Sequence, residues 1–305
     1  MSSVQGVPVK YQLMLIFAMA VWGSTFVAMK LVVTGMPAMV AVFIRMCLAV
    51  AAFAVLIKYV RKGVVYRKGD WRYLVLMALF EPCLYFLFES QALQYTSAGQ
   101  AGMITSLFPI LIAVSAFFAF GERLYRRQWL GLFIAVVGVI WMTLAGEESD
   151  QAPNPLLGNL LELAAMGAAV GYTLLVKHLT SRYPALFLTA MQACVGVVFF
   201  LPFALDSQWP DSIGVDMWLL LIYLGVGATL GAYGLFNYAL THVDATVAAG
   251  YVNLIPAFAV LFSVVFLGDE INLWQWLAIA LVFVGVYLSR DSKVDAQAKD
   301  NIPAA

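Results

Sequence analysis

Long apolar stretches alternate with short polar connections along the whole chain. Ten stretches reach the roughly 20 residues that a helix needs to cross about 30 Å of hydrocarbon. The connections between them leave no room for a separate soluble domain. The pattern therefore predicts an all-α polytopic membrane protein with ten transmembrane helices, at about 11–33, 38–60, 71–90, 98–119, 127–146, 156–178, 184–205, 216–238, 244–267 and 273–290.

The same pattern of apolar stretches and short motifs occurs twice along the chain. Ala92-Leu93 and Pro109 recur about 147 residues later as Ala239-Leu240 and Pro256. Each copy holds five stretches, and because five is odd, the two copies must cross the bilayer in opposite orientations. We expect two five-helix inverted-topology repeats around a central cavity. The predicted parts are a cytoplasmic N-terminus at 1–10, a first repeat at 11–146, an extracytoplasmic linker at 147–155, a second repeat at 156–290 and a disordered cytoplasmic tail at 291–305.

Composition supports the membrane assignment and removes several other classes of function. The chain is 63% hydrophobic and only 11% charged, which is more apolar surface than a soluble domain can bury. Its net charge of zero gives no indication of nucleic-acid binding. The three cysteines stand singly, without the spacing of a zinc site. We therefore expect no metal and no cofactor.

Basic residues predict the orientation. Of the 17 Lys and Arg residues, 15 fall in the N-terminus, the C-terminal tail and the alternate connections that share their side. The connections on the opposite side carry acids only. This is the positive-inside pattern, so both termini are expected in the cytoplasm. The two exceptions are Lys30 and Arg45, which lie within spans.

Four ionisable residues in the spans carry the candidate chemistry: Arg45, Glu81, Glu89 and Glu162. A charge in hydrocarbon costs about 2.5–3.5 kcal/mol on insertion scales, so it usually has a partner or a function. Glu81 has two interpretations. It either neutralises Arg45 in a structural pair, or it lines the cavity and holds a substrate ammonium group or a coupling proton. For Glu89 and Glu162, a solvated position near the outer surface is the alternative to a binding role.

Helix breaks point to the depth of the site. Pro82 follows Glu81 directly, and a proline inside a helix frees a carbonyl that only protein or a water-filled cavity can accept in a membrane. Pro109 and Pro256 stand at the same place in the two copies. Paired interruptions of this kind are typical of a transporter binding site.

Polar and aromatic residues on these interrupted spans are the candidate ligands of a small molecule, since aromatic rings bind organic cations and apolar side chains well. The predicted substrate-binding residues are Trp22, Phe26, Glu81, Tyr85, Gln100, Tyr172, Tyr233, Asn237, Tyr251 and Asn253.

Several short motifs occur in a fixed order, and the second copy repeats part of them. They are Trp22-Gly23-Ser24-Thr25-Phe26, Arg45, the Ala92 to Ala98 turn, Pro109 and Gly121-Glu122-Arg123. This order resembles the drug/metabolite transporter superfamily, and within it the ten-span EamA-type exporters. The resemblance covers about 11–290. It implies a cavity lined by spans 1, 3, 4, 6, 8 and 9, with spans 5 and 10 peripheral, and export of amino acids or related metabolites across a bacterial inner membrane.

Acids at span ends are predicted to act as gates. Glu122 ends the fourth span, and Asp269 and Glu270 end the ninth on the opposite side. Inverted symmetry would place one such group at each entrance of the cavity.

The sequence thus predicts a secondary transporter that exports amino acids or related zwitterions by alternating access. Its expected partners are a small-molecule substrate and the lipid bilayer, with the chain a monomer or weak dimer. Proton-coupled efflux of organic cations is the main alternative, with Arg45 and Glu81 as the candidate coupling pair. A membrane sensor and an intramembrane enzyme are further alternatives. The enzyme is disfavoured because the chain has no His-Glu-x-x-His or Gly-x-Ser-x-Gly motif.

Overall fold

A computed structural model describes residues 8–120, 126–146, 148–180, 182–240, 242–243 and 251–289. Within these residues the protein is helical, and the only β-type pairing is an isolated bridge between Ser149 and Ala152. Its main helices, labelled in chain order, are α1 (Val9–Gly35), α2 (Ala38–Val55), α3 (Trp71–Tyr95), α4 (98–120), α5 (Arg126–Leu144), α6 (Pro155–Leu179), α7 (Ala185–Asp206), α8 (215–240), α9 (Ile255–Leu267) and α10 (Leu273–Ser289).

Eight of the described helices, α1 to α8, are long and apolar enough to cross a membrane. The described parts of α9 and α10 are shorter apolar helices. The predicted ninth span begins at 244, and residues 244–250 lie outside the described part of the chain. The same is true of the predicted tail at 291–305. The structure therefore agrees with a polytopic membrane protein.

Four helices contain a segment of different helical pitch. In α3 a π-helical segment runs from Leu79 to Leu84, and in α8 another runs from Tyr223 to Ala232. A 3₁₀ turn at Thr105–Leu107 interrupts α4, and a π-helical segment at Ser263–Leu267 ends α9. Such segments release backbone groups from the regular i to i−4 pattern and often mark functional sites.

The helices pack in specific pairs. Helix α5 lies along α10, and α2 lies along α7. Helix α1 packs on α9, and the second half of α3 packs on α6. The largest hydrophobic cluster is formed by α1, α2 and neighbouring residues of α7, α8 and α9. This arrangement leaves α5 and α10 at one edge of the bundle.

Two ends of the bundle can be distinguished by their connections. We call the end that carries the connection 145–154 the linker side, and the end that carries 61–70 and 180–184 the basic side. On the basic side, Arg182 Nη1 donates to Asp70 Oδ1 at 2.7 Å, and the Tyr183 hydroxyl donates to Asp70 Oδ2 at 3.0 Å. These bonds join the two connections of the basic side.

Candidate functional site

A cavity of about 260 Å³ lies near the middle of the bundle. Trp22, which lines it, stands halfway along α1. At the 3₁₀ break of α4 it is lined by Thr105, Ser106, Phe108 and Pro109. Eight helices contribute lining residues: α1, α2, α3, α4, α6, α7, α8 and α9, the last together with the segment leading into it. Helices α5 and α10 do not contribute, so their peripheral position matches the expectation from the sequence. The contributions of α2 and α7 were not expected.

The acidic wall of the cavity comes from α3. Glu81, Tyr85 and Glu89 are spaced four residues apart and all line the cavity. The Tyr85 hydroxyl donates to Glu89 Oε1 at 2.8 Å. In the regular helix from Tyr85 onward this spacing places Tyr85 and Glu89 on one face, and Glu81 lines the same cavity from the break that precedes them.

A basic group faces the same cavity from α2. Arg45 is 93% buried, and its guanidinium carbon lies 4.1 Å from the centre of the Phe86 ring. The Arg45 charge acts on both Glu81 and Glu89. The cavity therefore carries both signs of charge, with a cation stacked on an aromatic face.

The α3 break has a specific partner. Glu81 has φ −142° and ψ 118°, outside the helical region, and the helix resumes after Pro82. The side-chain Nε2 of Gln192 on α7 donates to the Glu81 carbonyl oxygen at 2.6 Å. The Glu81 carbonyl group at the break therefore has a hydrogen-bond donor from the protein, which a membrane interior requires because it offers no water. Glu81 keeps its carboxyl group at the cavity wall.

The opposite wall is aromatic and weakly polar. Trp22 and Phe26 of α1 line it, and the Trp22 ring lies 5.4 Å from the ring of Phe236. Asn253 lines the cavity just before α9. Pro109 and Pro256 also line it, and each stands in the first turn of a helical segment that follows an interruption.

Not every predicted ligand reaches this cavity. Gln100 lies in a buried network in which Asn159 Nδ2 donates to Gln100 Oε1 at 2.9 Å. Tyr172 packs in a cluster with Leu74, Met77 and Leu179 near the basic side. Tyr251 packs against the first half of α1, near Leu15 and Met19. The side chains of Tyr233 and Asn237 lie outside the described residues.

The predicted gate residues are only partly described. Glu122 falls outside the described residues. Asp269 and Glu270 lie on the linker side and line a second cavity of about 500 Å³, together with Gln100 and the connection at 148–152. Among the residues that the structure describes, none lines both cavities. Between them, every residue from Ala98 to Ile104 is buried.

The solvated positions considered for Glu89 and Glu162 were wrong. Glu89 is 95% buried, and Glu162 is fully buried. The α3 to α6 packing covers both, because the long apolar faces of these helices meet along their linker-side halves. Both residues lie near predicted span ends, yet neither is exposed to solvent, because the neighbouring helices extend just as far.

The sequence analysis did not include several polar lining residues among the predicted ligands. Gln192 on α7 and Thr229 on α8 both line the central cavity. Their signal in the sequence is a hydrogen-bonding side chain within an otherwise apolar stretch. Gln192 also stands at the position of the second copy that corresponds to Arg45 in the first.

The described residues hold no group of three or more His, Cys, Asp or Glu side chains able to bind a metal. What the site offers is a cavity between apolar helices, lined by polar groups of both charge signs. A polytopic membrane protein with a cavity of this kind at mid-depth belongs to the class of membrane transport proteins.

Comparison with known proteins identifies the family. The EamA-like transporter family model matches twice, over residues 9–144 and 156–290. The chain therefore belongs to the EamA-like transporter family, and the resemblance found in the motifs is confirmed.

Individual relatives agree with this. The uncharacterized transporter YetK of Bacillus subtilis is 30% identical over 293 residues, a match that covers 94% of this chain and 88% of that protein. A chloroplastic WAT1-related protein of Arabidopsis thaliana is 28% identical, covering 88% of this chain and 66% of that protein. One solved crystal structure, 20% identical, shares the fold with a TM-score of 0.62 and covers 92% of this chain and 95% of the other. The family and the relatives' names are those of transporters, not enzymes.

Proposed function

We propose that this transporter exports small zwitterionic metabolites, amino acids foremost, by alternating access. The observation that carries the proposal is the presence of both charge signs in one small central cavity. Arg45 suits a substrate carboxylate, and Glu81 suits an ammonium group. Trp22 and Phe26 supply an apolar surface for the remainder of the molecule.

The size of the cavity favours a small substrate. Its volume of about 260 Å³ lies just below the range of about 300–1,000 Å³ that is typical of pockets for drug-sized ligands. An amino acid suits such a volume better than a bulky drug does. Efflux of organic cations is the second candidate, because two carboxyl groups and several rings line the cavity. The buried Arg45 charge disfavours it, since a cation would meet repulsion there.

The helix pairing supports two inverted halves. A two-fold relation between 11–146 and 156–290 would pair α5 with α10 and α2 with α7, and would make the α1 to α9 contact equivalent to the α6 to α4 contact. Packing of all four kinds is present. Together with the basic connections on one side, this supports ten spans in a bacterial inner membrane with both termini in the cytoplasm. The two halves would rock about the central cavity.

A liposome flux panel tests the proposal. Purified full-length protein is reconstituted, and counterflow of radiolabelled leucine, threonine, lysine and tetraethylammonium is measured with and without a pH gradient. We expect saturable counterflow of the zwitterions leucine or threonine. Counterflow of tetraethylammonium alone would favour the second candidate, and the absence of saturable flux for all four would contradict the proposal.

Glu81→Gln tests the acidic wall. The variant keeps the backbone carbonyl that accepts from Gln192, so we expect normal insertion and folding. Loss of the carboxylate should reduce counterflow about tenfold, equivalent to about 1.4 kcal/mol of substrate interaction. Asp206→Asn, an exposed acid at the end of α7, is the matched control. Flux that matches the control would instead make Glu81 a structural partner of Arg45.

A further inference from the structure

Glu162 is a buried acid without a partner. It lies on α6 and is fully buried, and among the described residues neither carboxyl oxygen has a hydrogen-bond partner. Its neighbours on the same helix face do not satisfy it. The Asn159 amide is used by Gln100 and Thr143, each at 2.9 Å, and Met166 is apolar.

The physical consequence concerns the charge on Glu162. An ionised carboxylate in an apolar interior without a partner costs so much free energy that the group takes up a proton instead. Burial within a membrane strengthens this argument, because no bulk water is available to solvate the charge. In this conformation Glu162 is therefore a neutral acid that holds a proton.

Glu89 is the second member of the site. The Glu89 carboxyl on α3 lies within electrostatic range of Glu162, and it lines the central cavity while accepting from the Tyr85 hydroxyl at 2.8 Å. Both groups are buried where the second half of α3 packs on α6, so ionisation of one raises the free-energy cost of ionising the other. Glu89 thus connects the buried proton to the cavity.

The other titratable and charged groups around the pair are few. From α3 they are Tyr85 and Glu81, and from α2 the Arg45 charge acts on Glu89. At this depth, the described residues of α4 and α5 bring only neutral polar side chains such as Gln100 and Thr143. Arg45 favours an ionised Glu89, which leaves Glu162 as the member that holds the proton.

We propose that Glu89 and Glu162 form a proton-binding site that couples transport to the proton gradient. The inference rests on the proposed transport function and adds its coupling ion. One carboxylate of the pair takes a proton from external water, and the resulting acid returns that proton to cytoplasmic water. For each substrate molecule exported, one proton enters. Because α3 and α6 belong to different halves, their relative movement separates or joins the two carboxyl groups and so releases or binds the proton.

Under this proposal Glu81 binds the substrate, whereas Glu89 and Glu162 bind the proton. Glu81 sits at the α3 break beside Gln192 and faces the substrate volume. Glu162 does not line that volume, so a proton on it does not compete directly with a substrate ammonium. The alternative, with Arg45 and Glu81 as the coupling pair, would make one carboxyl group serve both substrate and proton.

Infrared difference spectroscopy tests the protonated acid without any substrate. The full-length protein in lipid is titrated around pH 7, where an exposed Glu with a pKa near 4.3 is ionised. We expect a protonated-carboxyl band in the wild-type protein that is absent in Glu162→Gln. Asp211→Asn, an exposed acid on the linker side, should retain the band. An identical band in Glu162→Gln and in the wild type would overturn the proposal.

The Glu162→Met variant tests whether the Glu162 side chain has a purely structural role. Because Glu162 makes no hydrogen bond to any described residue, an apolar side chain of similar length should leave the Tm unchanged or raise it. A Glu162→Met protein that no longer folds would overturn the proposal, since it would show that the acid stabilises the fold.

Transport in liposomes tests the coupling itself, with leucine as the probe, or with whichever panel compound the wild type carries. We expect Glu162→Gln to retain counterflow while accumulation driven by a pH gradient falls at least about fivefold, the low end of typical coupling effects. Asp211→Asn should accumulate the probe as the wild type does. Accumulation unchanged in Glu162→Gln, or driven by a sodium gradient at equal pH, would overturn the proposal.

These outcomes separate the two proposals. If the wild type shows no counterflow of any panel compound, the proposed function fails, and the infrared measurement still decides whether Glu162 carries a proton. If counterflow is present without any effect of the pH gradient, transport stands and the coupling site falls.

Discussion

At the scale of single residues, Lys30 shows how this fold accommodates a charge. Its side chain is 98% buried at the linker side of α1. The Nζ atom donates to the carbonyl oxygens of Leu93 at 2.6 Å, Thr96 at 3.0 Å and Gln151 at 2.6 Å. Three carbonyl groups use all three donors of the ammonium. Lys30 therefore joins α1 to the end of α3 and to the connection between the halves.

Lys30→Met should destabilise the protein. The substitution preserves the apolar stem but leaves three carbonyl groups without a donor, at about 1–3 kcal/mol for each that stays buried. We expect the Tm in detergent to fall by about 5 °C or more. Lys62→Met, at an exposed position of the basic side, is the control and should leave the Tm unchanged. Equal Tm values for the two variants would mean that water replaces the ammonium group as the hydrogen-bond donor to the three carbonyl groups.

Residue identity in the sequence was enough to select Lys30, Arg45, Glu81, Glu89 and Glu162 as unusual, because charges are rare in hydrocarbon. It was not enough to assign them partners. Lys30 binds three backbone carbonyl groups, which no side-chain pattern reveals. Gln192 likewise binds a carbonyl group that becomes available only because α3 is broken at Glu81.

At the scale of helices, α5 and α10 meet through equivalent glycines of the two copies. A Cβ atom on Gly138 would lie 2.7 Å from Val282 Cγ2 and 2.9 Å from Val282 N. A Cβ atom on Gly285 would lie 2.7 Å from the Gly131 carbonyl oxygen, and closer still to Ala135 N. Small residues at such points let helix backbones approach closely in membranes.

Gly285→Ala should therefore force α5 and α10 apart. The methyl group meets backbone rather than a mobile side chain, and such overpacking costs about 1–3 kcal/mol. We expect a Tm lower by several degrees. Gly167→Ala on α6 is the matched control, because no atom lies within 4 Å of its Cβ position, and replacing a helical glycine there should be neutral or stabilising. A Gly285→Ala protein as stable as the control would contradict the close packing.

At the scale of the whole molecule, the linker side of the central cavity is closed. Ala98 to Ile104 of α4 are buried, as are Ala259 and Ser263 of α9. Asp269 accepts a hydrogen bond from Ser263, and the Lys30 charge acts on it. Asp269 thus holds the end of α9 within a layer that separates the two cavities.

Asp269→Asn should shift the population toward conformations open on the linker side. The Asn amide oxygen can still accept from Ser263, but the bond loses its charge assistance and the attraction to Lys30 is removed. A loss of about 1.4 kcal/mol corresponds to an open population about tenfold higher. The measurement is the rate at which an impermeant thiol reagent, added from the linker side, labels Ser106→Cys in a background without Cys47, Cys83 and Cys194. Ser106 lines the central cavity and is 97% buried.

Asp211→Asn provides the control, since Asp211 is an exposed acid on the linker side outside the predicted gate. The labelling rate of Ser106→Cys in this control variant should match the rate in the parent protein. A rate for Asp269→Asn that also equals the parent rate would remove Asp269 from the gate. The predicted counterpart, Glu122, falls outside the described residues and keeps its role as a prediction.

The sequence by itself determined the membrane class, the family with its two matching segments, and the approximate positions of the eight spans α1 to α8. These features follow from hydrophobicity and local spacing, which act within about 20 residues and leave a direct pattern in the chain. It also selected α3 as the acidic helix, because Glu81, Tyr85 and Glu89 repeat with helical periodicity.

Only the tertiary structure decided which polar residues share a cavity and which are sealed away. Gln100 and Asn159 bind each other on the linker side, Arg45 and Gln192 bring α2 and α7 into the site, and Glu162 is buried beside Glu89. The physical reason is that burial and pairing depend on which helices become neighbours. That choice rests on packing between residues far apart in the chain, and no local pattern records it.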